Sequence, residues 1–399
     1  MPGYHKKQVE IAREFGVSEG TVTNWIKGAE ERKNNLQIEV TNGKYRILDN
    51  EHNHATMLAL ANEGKKHRSN IYLKKTEVKK EFYDIFSDEE ISEIINDLEF
   101  KKQVNLKFTY KNIGTKYWDD FYVSNSSPVS KEVSQRIINV VHESINISKE
   151  NSHANIIDIG PGNGYPVKDV LTELISQKLL HKYIPIDFSP EMADLACGNI
   201  SSWFPDIDIK KYVLDIEASR FGKIFLENKS FTQNISNIVL YLDGLCNHDD
   251  TVQVLKNFRK GLTFNDLIVL GFTLDTKNNR SKLNYVRTEM IDNLTSWILK
   301  WMGIDIELCE INVRYDSELN SKVKSVLLDK DYEVTIDLFG EQKRLFFRSG
   351  QEINVWKHFL FNVQDFITIL NEADLEIINL QIDKNYSYAM VICQAKQNT

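Results

Sequence analysis

The residues Asp158-Ile159-Gly160-Pro161-Gly162-Asn163-Gly164 put one carboxylate and three alternating glycines directly after the apolar pair Ile156-Ile157. Glycine adopts positive φ at low cost, so such a turn lets backbone approach a ligand closely at a strand-to-helix crossover. Downstream, two apolar segments each end in an acid: Tyr183-Ile184-Pro185-Ile186-Asp187 and Tyr212-Val213-Leu214-Asp215-Ile216. A carboxylate at the first position can accept hydrogen bonds from both hydroxyls of a ribose, and one at the second suits an adenine amino group. A further apolar segment, 237–242, contains Tyr241 and leads into Asn247-His248. The chemistry this grouping serves is the holding of a nucleoside-bearing cofactor beside a short row of polar side chains.

The elements that must position these residues follow from periodicity. Short buried strands over 155–159, 183–187, 212–216, 237–242 and 266–272 alternate with helical stretches, so a mostly parallel α/β sheet is expected, with its ligand at the carboxyl ends of the strands. The first helix is expected at about 167–180. The second opens with Ser189 as cap and Pro190 in its first turn. A helical insertion is read over 284–301, and a hairpin over 332–347 turning at Gly340. A helix at 363–373 and an antiparallel pair at 376–380 and 388–393 close the sheet at seven strands. Ser87 and Glu90 have capping-box spacing ahead of Ile91, Ile94, Ile95 and Leu98. Residues 104–123 are rich in aromatics and read as core or as a substrate lid.

Two cofactor classes use such a turn. The form here is not G-x-G-x-x-G, and the Asp158-x-Gly160-x-Gly162-x-Gly164 spacing resembles that of class I S-adenosylmethionine (SAM)-dependent methyltransferases. From about Lys107 onward the chain further resembles the histidine-specific N-methyltransferase family of the ergothioneine pathway. Tyr110 to Asp119 (with Gly114, Tyr117 and Trp118) looks like that family's entry motif. Ile156 to Gly162 is similar to its cofactor turn, and Tyr183 to Ser189 to its strand with Pro, Asp and Ser. Tyr241 to His248 looks like its motif ending Gly-Asn-Phe. Gly271 to Asp275 fits its next strand end.

The resemblance implies a class I methyltransferase fold and SAM as cofactor. It places Asp158, Gly160, Gly162, Asn163, Gly164, Asp187, Ser189, Asp215, Ile216 and Tyr241 around the cofactor. Asn247, with Tyr110 or Tyr117, would hold an amino acid or amine acceptor. The family's Thr-Glu-x-Ser-x-Lys-Phe stretch is replaced by Glu352-Ile353-Asn354-Val355-Trp356-Lys357-His358-Phe359, with Val355 and Trp356 near the positions of the Glu and Ser that contact an imidazole. An apolar or aromatic amine, or another amino acid, suits Trp356 better than histidine does. Trp356 also reads as core. His248 stands where the family has Phe, and reads either as a substrate neighbour able to accept a proton or as a structural hydrogen-bonder.

The N-terminal 70 residues read as a separate module. Ala12 to Trp25, with Gly16 at the turn and Ser18 as cap, resembles the helix-turn-helix of bacterial regulators and transposases. That resemblance puts Thr21, Thr23, Asn24 and Lys27 toward DNA. Asn42-Gly43 between alternating apolar residues signals a hairpin, in the position of a wing. A helix at 54–61 and a solvated charge run at 74–80 follow. Residues 1–80 carry 15 Lys+Arg against 10 Asp+Glu, and the rest carry 34 against 47. Only the head therefore favours a polyanion. The expected organisation is 1–70 helix-turn-helix, 71–150 linker and lid, and 151–399 methyltransferase with an insertion at about 280–350.

The four cysteines share no metal or disulfide spacing, and the opening residues lack an apolar leader stretch. A cytoplasmic protein without membrane spans or a bound metal is expected, and a homodimer if the head reads paired half-sites. Three functions compete: a small-amine N-methyltransferase, a DNA-binding regulator using a methyltransferase-like sensor, and a nucleic-acid methyltransferase. The Asp243-Gly244-Leu245-Cys246-Asn247 segment lacks the Pro-Pro-aromatic signature of base methylation, which weakens the third.

Overall fold

The computed structural model describes residues 7–15, 17, 19–31, 34–41, 44–124, 135, 137–139, 153–217, 222–228, 235–242, 244–263, 265–283 and 288–396. Gly16, Ser18, Asn42, Gly43, Asp243 and the start of the expected insertion at 284–285 lie outside them. The chain divides into two compact units. One comprises residues 1–75 with 330–333 and 346–349, and the other holds the remainder.

The large unit is built on seven strands: β1 (His153–Ile159), β2 (Leu180–Asp187), β3 (Tyr212–Val213), β4 (Ile235–Leu242), β5 (Leu267–Thr273), β6 (Leu375–Ile382) and β7 (Tyr388–Ala395). Their spatial order is β6-β7-β5-β4-β1-β2-β3. The five from β5 to β3 are parallel, and β7 runs antiparallel to both β5 and β6. This is the class I methyltransferase fold.

The central strands are apolar throughout because both faces are covered. Ile157, Ile159, Ile184, Ile186, Val239 and Tyr241 enter one core. Ala154, Ile156, Tyr183, Ile238 and Leu240 enter the opposite one. On the first face Phe272 stacks on Phe366 of the helix Val363–Glu372, ring centroids 3.8 Å apart.

Several elements depart from the sequence expectation. The helix after the glycine turn is shorter than 167–180: a 3-10 turn Tyr165–Val167 leads into Lys168–Ser176. Lys178 then takes φ 57 and ends it, because Leu180 already belongs to β2. β3 stops at Val213, short of Asp215, whose carboxylate instead accepts the Glu217 amide at 2.9 Å and turns the chain. Lys74–Glu77 is a strand rather than a helix face or linker.

The insertion contains a helix Glu289–Trp301 and an antiparallel sheet of Glu310–Asp316, Ser321–Leu327 and Glu352–Phe359. The first two of these strands are not expected from the sequence, and Ser321–Leu327 carries two lysines, Lys322 and Lys324. Both are buried, and Lys324 pairs with Asp292. The capping box at Ser87 and Glu90 forms as expected, and Ile91, Ile94, Ile95 and Leu98 are buried.

In the small unit, helices Gln8–Phe15 and Glu19–Glu30 share a core of Ile11, Phe15, Val22, Trp25, Met57 and Ala61. Ile38–Thr41 pairs with Lys44–Ile47. The next helix is longer than 54–61, running Glu51–Tyr72 with Asn50 as its cap. Asn24 and Lys27 are exposed, while Thr21 and Thr23 are half-buried. No helix among the described residues is long and apolar enough to cross a membrane.

Phe366→Ala removes one ring of a fully buried stack, so it is expected to cost about 3–5 kcal/mol of stability. Urea unfolding measures this, and a loss below about 1 kcal/mol would contradict the packing described.

Candidate active site

β1 ends at the glycine turn. Gly160, Gly162 and Gly164 all have positive φ (63°, 56° and 78°), a region closed to most side chains. A Cβ added at Gly160 would meet nothing within 4 Å, so that backbone faces open space. The Gly160 amide bonds the Ile186 carbonyl at 2.9 Å and ties the turn to the end of β2.

The turn opens on a cavity of about 230 Å³. Gly160, Gly162, Asp187, Asp215, Ile216 and Tyr241 border it, and so do Tyr110, Asn247 and His248. These nine of the sequence-predicted residues are brought together at the carboxyl ends of β1, β2 and β4, as an open α/β sheet requires. Four others stand behind the wall. Asp158 is buried and accepts from the Tyr183 hydroxyl at 2.8 Å. Asn163 donates to Asp119 at 2.8 Å and receives Asn199 on its carbonyl at 2.9 Å. Gly164 sits against Ile200. Ser189 caps the helix Pro190–Trp203 by accepting the Met192 amide at 3.1 Å. Tyr117 packs among Ile291, Leu294 and Val313 and is not among the residues that border this cavity.

Asp187 accepts the Ser189 amide at 2.9 Å, and burial pushes its carboxyl up to about 7. Asp215 has a side-chain partner that the sequence did not signal. Lys107 donates to it at 2.6 Å and also reaches Glu93 at 2.7 Å. Phe188 and Met192, likewise unforeseen, add apolar wall, and Trp118 closes over Gly162.

A second cavity of about the same volume adjoins the first, and Asn105, Leu106, Glu217 and Asn247 border both. Its far wall comes from the strand Glu352–Phe359. Asn354, Trp356 and Lys357 face it, whereas Val355 is fully buried away from it. A register shift between Lys324 and Ser325 lies opposite Val355. The Val355–Trp356 expectation is therefore corrected: Trp356 reaches the cavity, and its polar neighbour there is Asn354. Trp356 also stacks on His358, centroids 5.6 Å apart and rings 5° from parallel. His358 Nδ1 lies 3.4 Å from the Asn247 side-chain oxygen Oδ1, and His358 Nε2 lies 3.0 Å from the Thr273 hydroxyl. Asp249 pairs with Lys357 and accepts from Gln103 at 3.3 Å.

Between the cavities, His248 Nδ1 lies 2.8 Å from Glu217 Oε1, and His248 Nε2 meets the Tyr241 hydroxyl. That hydrogen bond to His248 holds the Glu217 carboxyl below its ordinary range. Burial, above all, drives the Tyr241 hydroxyl well above its usual range. Glu217 follows Asp215 by two residues, a spacing that passed unnoticed because Asp215 was assigned to a strand. No group of His, Cys, Asp and Glu suited to a metal occurs among the described residues.

Residues 90–395 match the sequence profile of a family described as histidine-specific methyltransferase, SAM-dependent. No curated protein sequence matches the chain. Among solved structures, a SAM-dependent methyltransferase from Clostridium acetobutylicum is 12% identical, with 77% of this chain and 99% of that one covered and a TM-score of 0.36. A magnesium protoporphyrin IX methyltransferase from Synechocystis, solved with bound SAH, is 10% identical, with 73% and 98% covered and a TM-score of 0.37. A sugar N-methyltransferase from Streptoalloteichus is 10% identical, with 70% and 93% covered and a TM-score of 0.37.

Burial lifts the Asp158 carboxyl to about 7, against the opposing hydrogen bond from Tyr183. The folded state thus holds this proton more tightly than the unfolded chain. The resulting stability is complete below about pH 4 and is lost as the pH rises through about 7. Asp158→Asn cannot ionise, so it should gain on the wild type by on the order of 1 kcal/mol per pH unit across that window. Urea unfolding of both proteins between pH 4 and 7 measures the difference; a difference independent of pH would contradict the assignment.

Proposed function

Because this chain belongs to the histidine-specific, SAM-dependent methyltransferase family, we propose that it methylates a nitrogen of an amino acid or small amine held where its two cavities meet. The observation that carries this reading is Asn247, which borders both cavities. The first cavity suits SAM. The open backbone at Gly160 leaves room for the methionine portion, and Asp187, a half-buried carboxylate bordering the cavity, suits ribose hydroxyls. Ile216 and Phe188 offer apolar contact to a purine. The bound cofactor supplies an electrophilic methyl group on a sulfonium, whose departure needs no acid.

The chain's own task is aim. Holding an acceptor in line supplies much of the rate of such a displacement. With His358 beside the Asn247 side-chain oxygen, the Asn247 amide group is left to donate toward the cavities, which suits an acceptor carboxylate. Tyr110 borders the first cavity from the opposite side. Trp356 and Asn354 give the acceptor pocket one aromatic and one amide wall. The Trp356 face suits an aromatic ring, and the Glu217 and Asp249 carboxylates on the same cavity suit a charged amine.

A second reading concerns residues 1–75. The exposure of Asn24 and Lys27 on the helix Glu19–Glu30, with the basic balance of the head, supports DNA binding there. Duplex DNA is then expected to shift the full-length protein in a gel at low salt. The shift should weaken in Lys27→Ala and with added salt. An unshifted duplex at low salt would remove this reading.

Methyl transfer from radiolabelled SAM, run against the twenty amino acids, common biogenic amines and duplex DNA, tests the principal reading. Label is expected on an amino acid or amine. Asn247→Ala should lose about 10- to 100-fold in kcat/KM, the worth of a hydrogen bond to a charged group, with cofactor affinity retained. Label on DNA, or on none of the acceptors, would overturn it.

A further inference from the structure

An amine acceptor brings a proton problem. An alkylamine titrating near 10 is almost wholly ammonium at pH 7, with roughly one molecule in a thousand carrying the free lone pair that accepts a methyl group. We propose that Glu217, His248 and Tyr241 form a proton relay that takes this proton from the acceptor nitrogen, with the Tyr241 hydroxyl as the group that meets it. The inference rests on the N-methyltransferase reading and assigns the route by which the proton leaves.

The three side chains form one hydrogen-bonded line. Tyr241 lies near the carboxyl end of β4, 3% exposed, and borders the cofactor cavity. Its hydroxyl meets His248 Nε2, and His248 Nδ1 lies 2.8 Å from Glu217 Oε1. Exposure rises along the line, from 14% for the His248 side chain to 40% for that of Glu217. The inner end therefore faces the cofactor cavity, and the outer end, which also borders the second cavity, reaches water. Gly244 makes the inner end possible, because a Cβ there would stand 2.5 Å from Tyr241 Cε2.

The chemistry fixes the direction. An ionised carboxylate only accepts hydrogen bonds, so His248 carries its hydrogen on Nδ1. Nε2 is then bare and accepts from the Tyr241 hydroxyl. A lone pair of the Tyr241 oxygen is left for an N–H of the acceptor. In the step, that N–H bond breaks and an O–H bond forms at Tyr241. The original O–H bond of Tyr241 breaks, and an N–H bond forms at His248 Nε2. The imidazolium is balanced by Glu217; its Nδ1 proton leaves through Glu217 to water, and after product release exchange with water returns the remaining ring hydrogen from Nε2 to Nδ1.

The surrounding charges agree with these roles. Burial, and then the negative charge of Glu217, hold Tyr241 well above its ordinary range, so it works as a neutral phenol that passes a proton without keeping a charge. Cys246, Asp187 and Tyr110 act on Tyr241 in the same direction. The hydrogen bond from His248 holds Glu217 below its ordinary range, so it stays ionised, with Lys107 assisting and Asp249 opposing.

Two readouts test the relay on the full-length protein. The first is nitrogen NMR of histidine-labelled protein at pH 8, with the His248 signal identified by its loss in His248→Phe. Hydrogen on Nδ1 and a bare Nε2 are expected. Hydrogen on Nε2 would overturn the proposal, since Tyr241 could not then pass its proton outward to His248. The second is transfer of radiolabelled methyl to an equimolar pool of the twenty amino acids from pH 7 to 10. His248→Phe and Tyr241→Phe should lose about 100-fold at pH 7 and recover most of it by pH 10, where amines shed their own proton. Because both residues border the cofactor cavity, each variant is compared at saturating SAM, so that the pH dependence and not cofactor affinity is read. A loss equal at every pH marks a merely structural role, and an unchanged rate in both variants marks no role; either would overturn the relay. A wild type that labels nothing in the pool removes the N-methyltransferase reading first and the relay with it. A wild type that turns over beside unaffected variants removes the relay alone.

Discussion

The functional half of this protein depends on how β1 leaves the sheet. The strand is covered on both faces and paired on both edges, by β2 and β4. At its end the chain must turn without filling the space that the neighbouring strand ends enclose. Gly160 meets that constraint with a positive φ and open space where a side chain would stand. Its amide remains bonded to the end of β2, so the turn and Asp187 form one rigid corner. An alanine at Gly160 would strain the backbone there and push a methyl group into the cavity.

The second organising feature is the pairing of charge around that corner. Burial makes each ionised group costly unless it has a partner. Asp215 has Lys107, which also serves Glu93. Asp249 has Lys357, and Glu217 has His248. Asp187 differs from these: its donors are the backbone amides of Phe188 and Ser189, and burial holds its carboxyl at about 7. A half-buried carboxylate so placed can still accept hydrogen bonds from a ligand's hydroxyl groups.

Much of this was legible in the sequence, because local rules and global fold agree along the sheet. The glycine turn, the acid ending β2, the capping serines and the apolar runs each specify their structure without distant help. Asn247 and Tyr110 were found through family motifs, and the structure brings both to one cavity. What stayed hidden depends on contacts between distant segments. Lys107 meets Asp215 across 108 positions, and nothing in its own neighbourhood signals that. Lys322 and Lys324 are buried within Ser321–Leu327, a strand not expected from the sequence. Asn354 borders the second cavity while Val355 is buried, a placement that the family motif did not signal.

The central claim is the division of labour between the two cavities, with the cofactor at the glycine turn, the acceptor beside Trp356 and Asn247 between them. The most direct test is a crystal structure of the full chain with S-adenosylhomocysteine. The account predicts both ribose hydroxyls on the Asp187 carboxylate, the sulfur directed toward Asn247, and the Trp356 cavity left for the acceptor. A nucleoside seated against Trp356, or a ribose held away from Asp187, would contradict it.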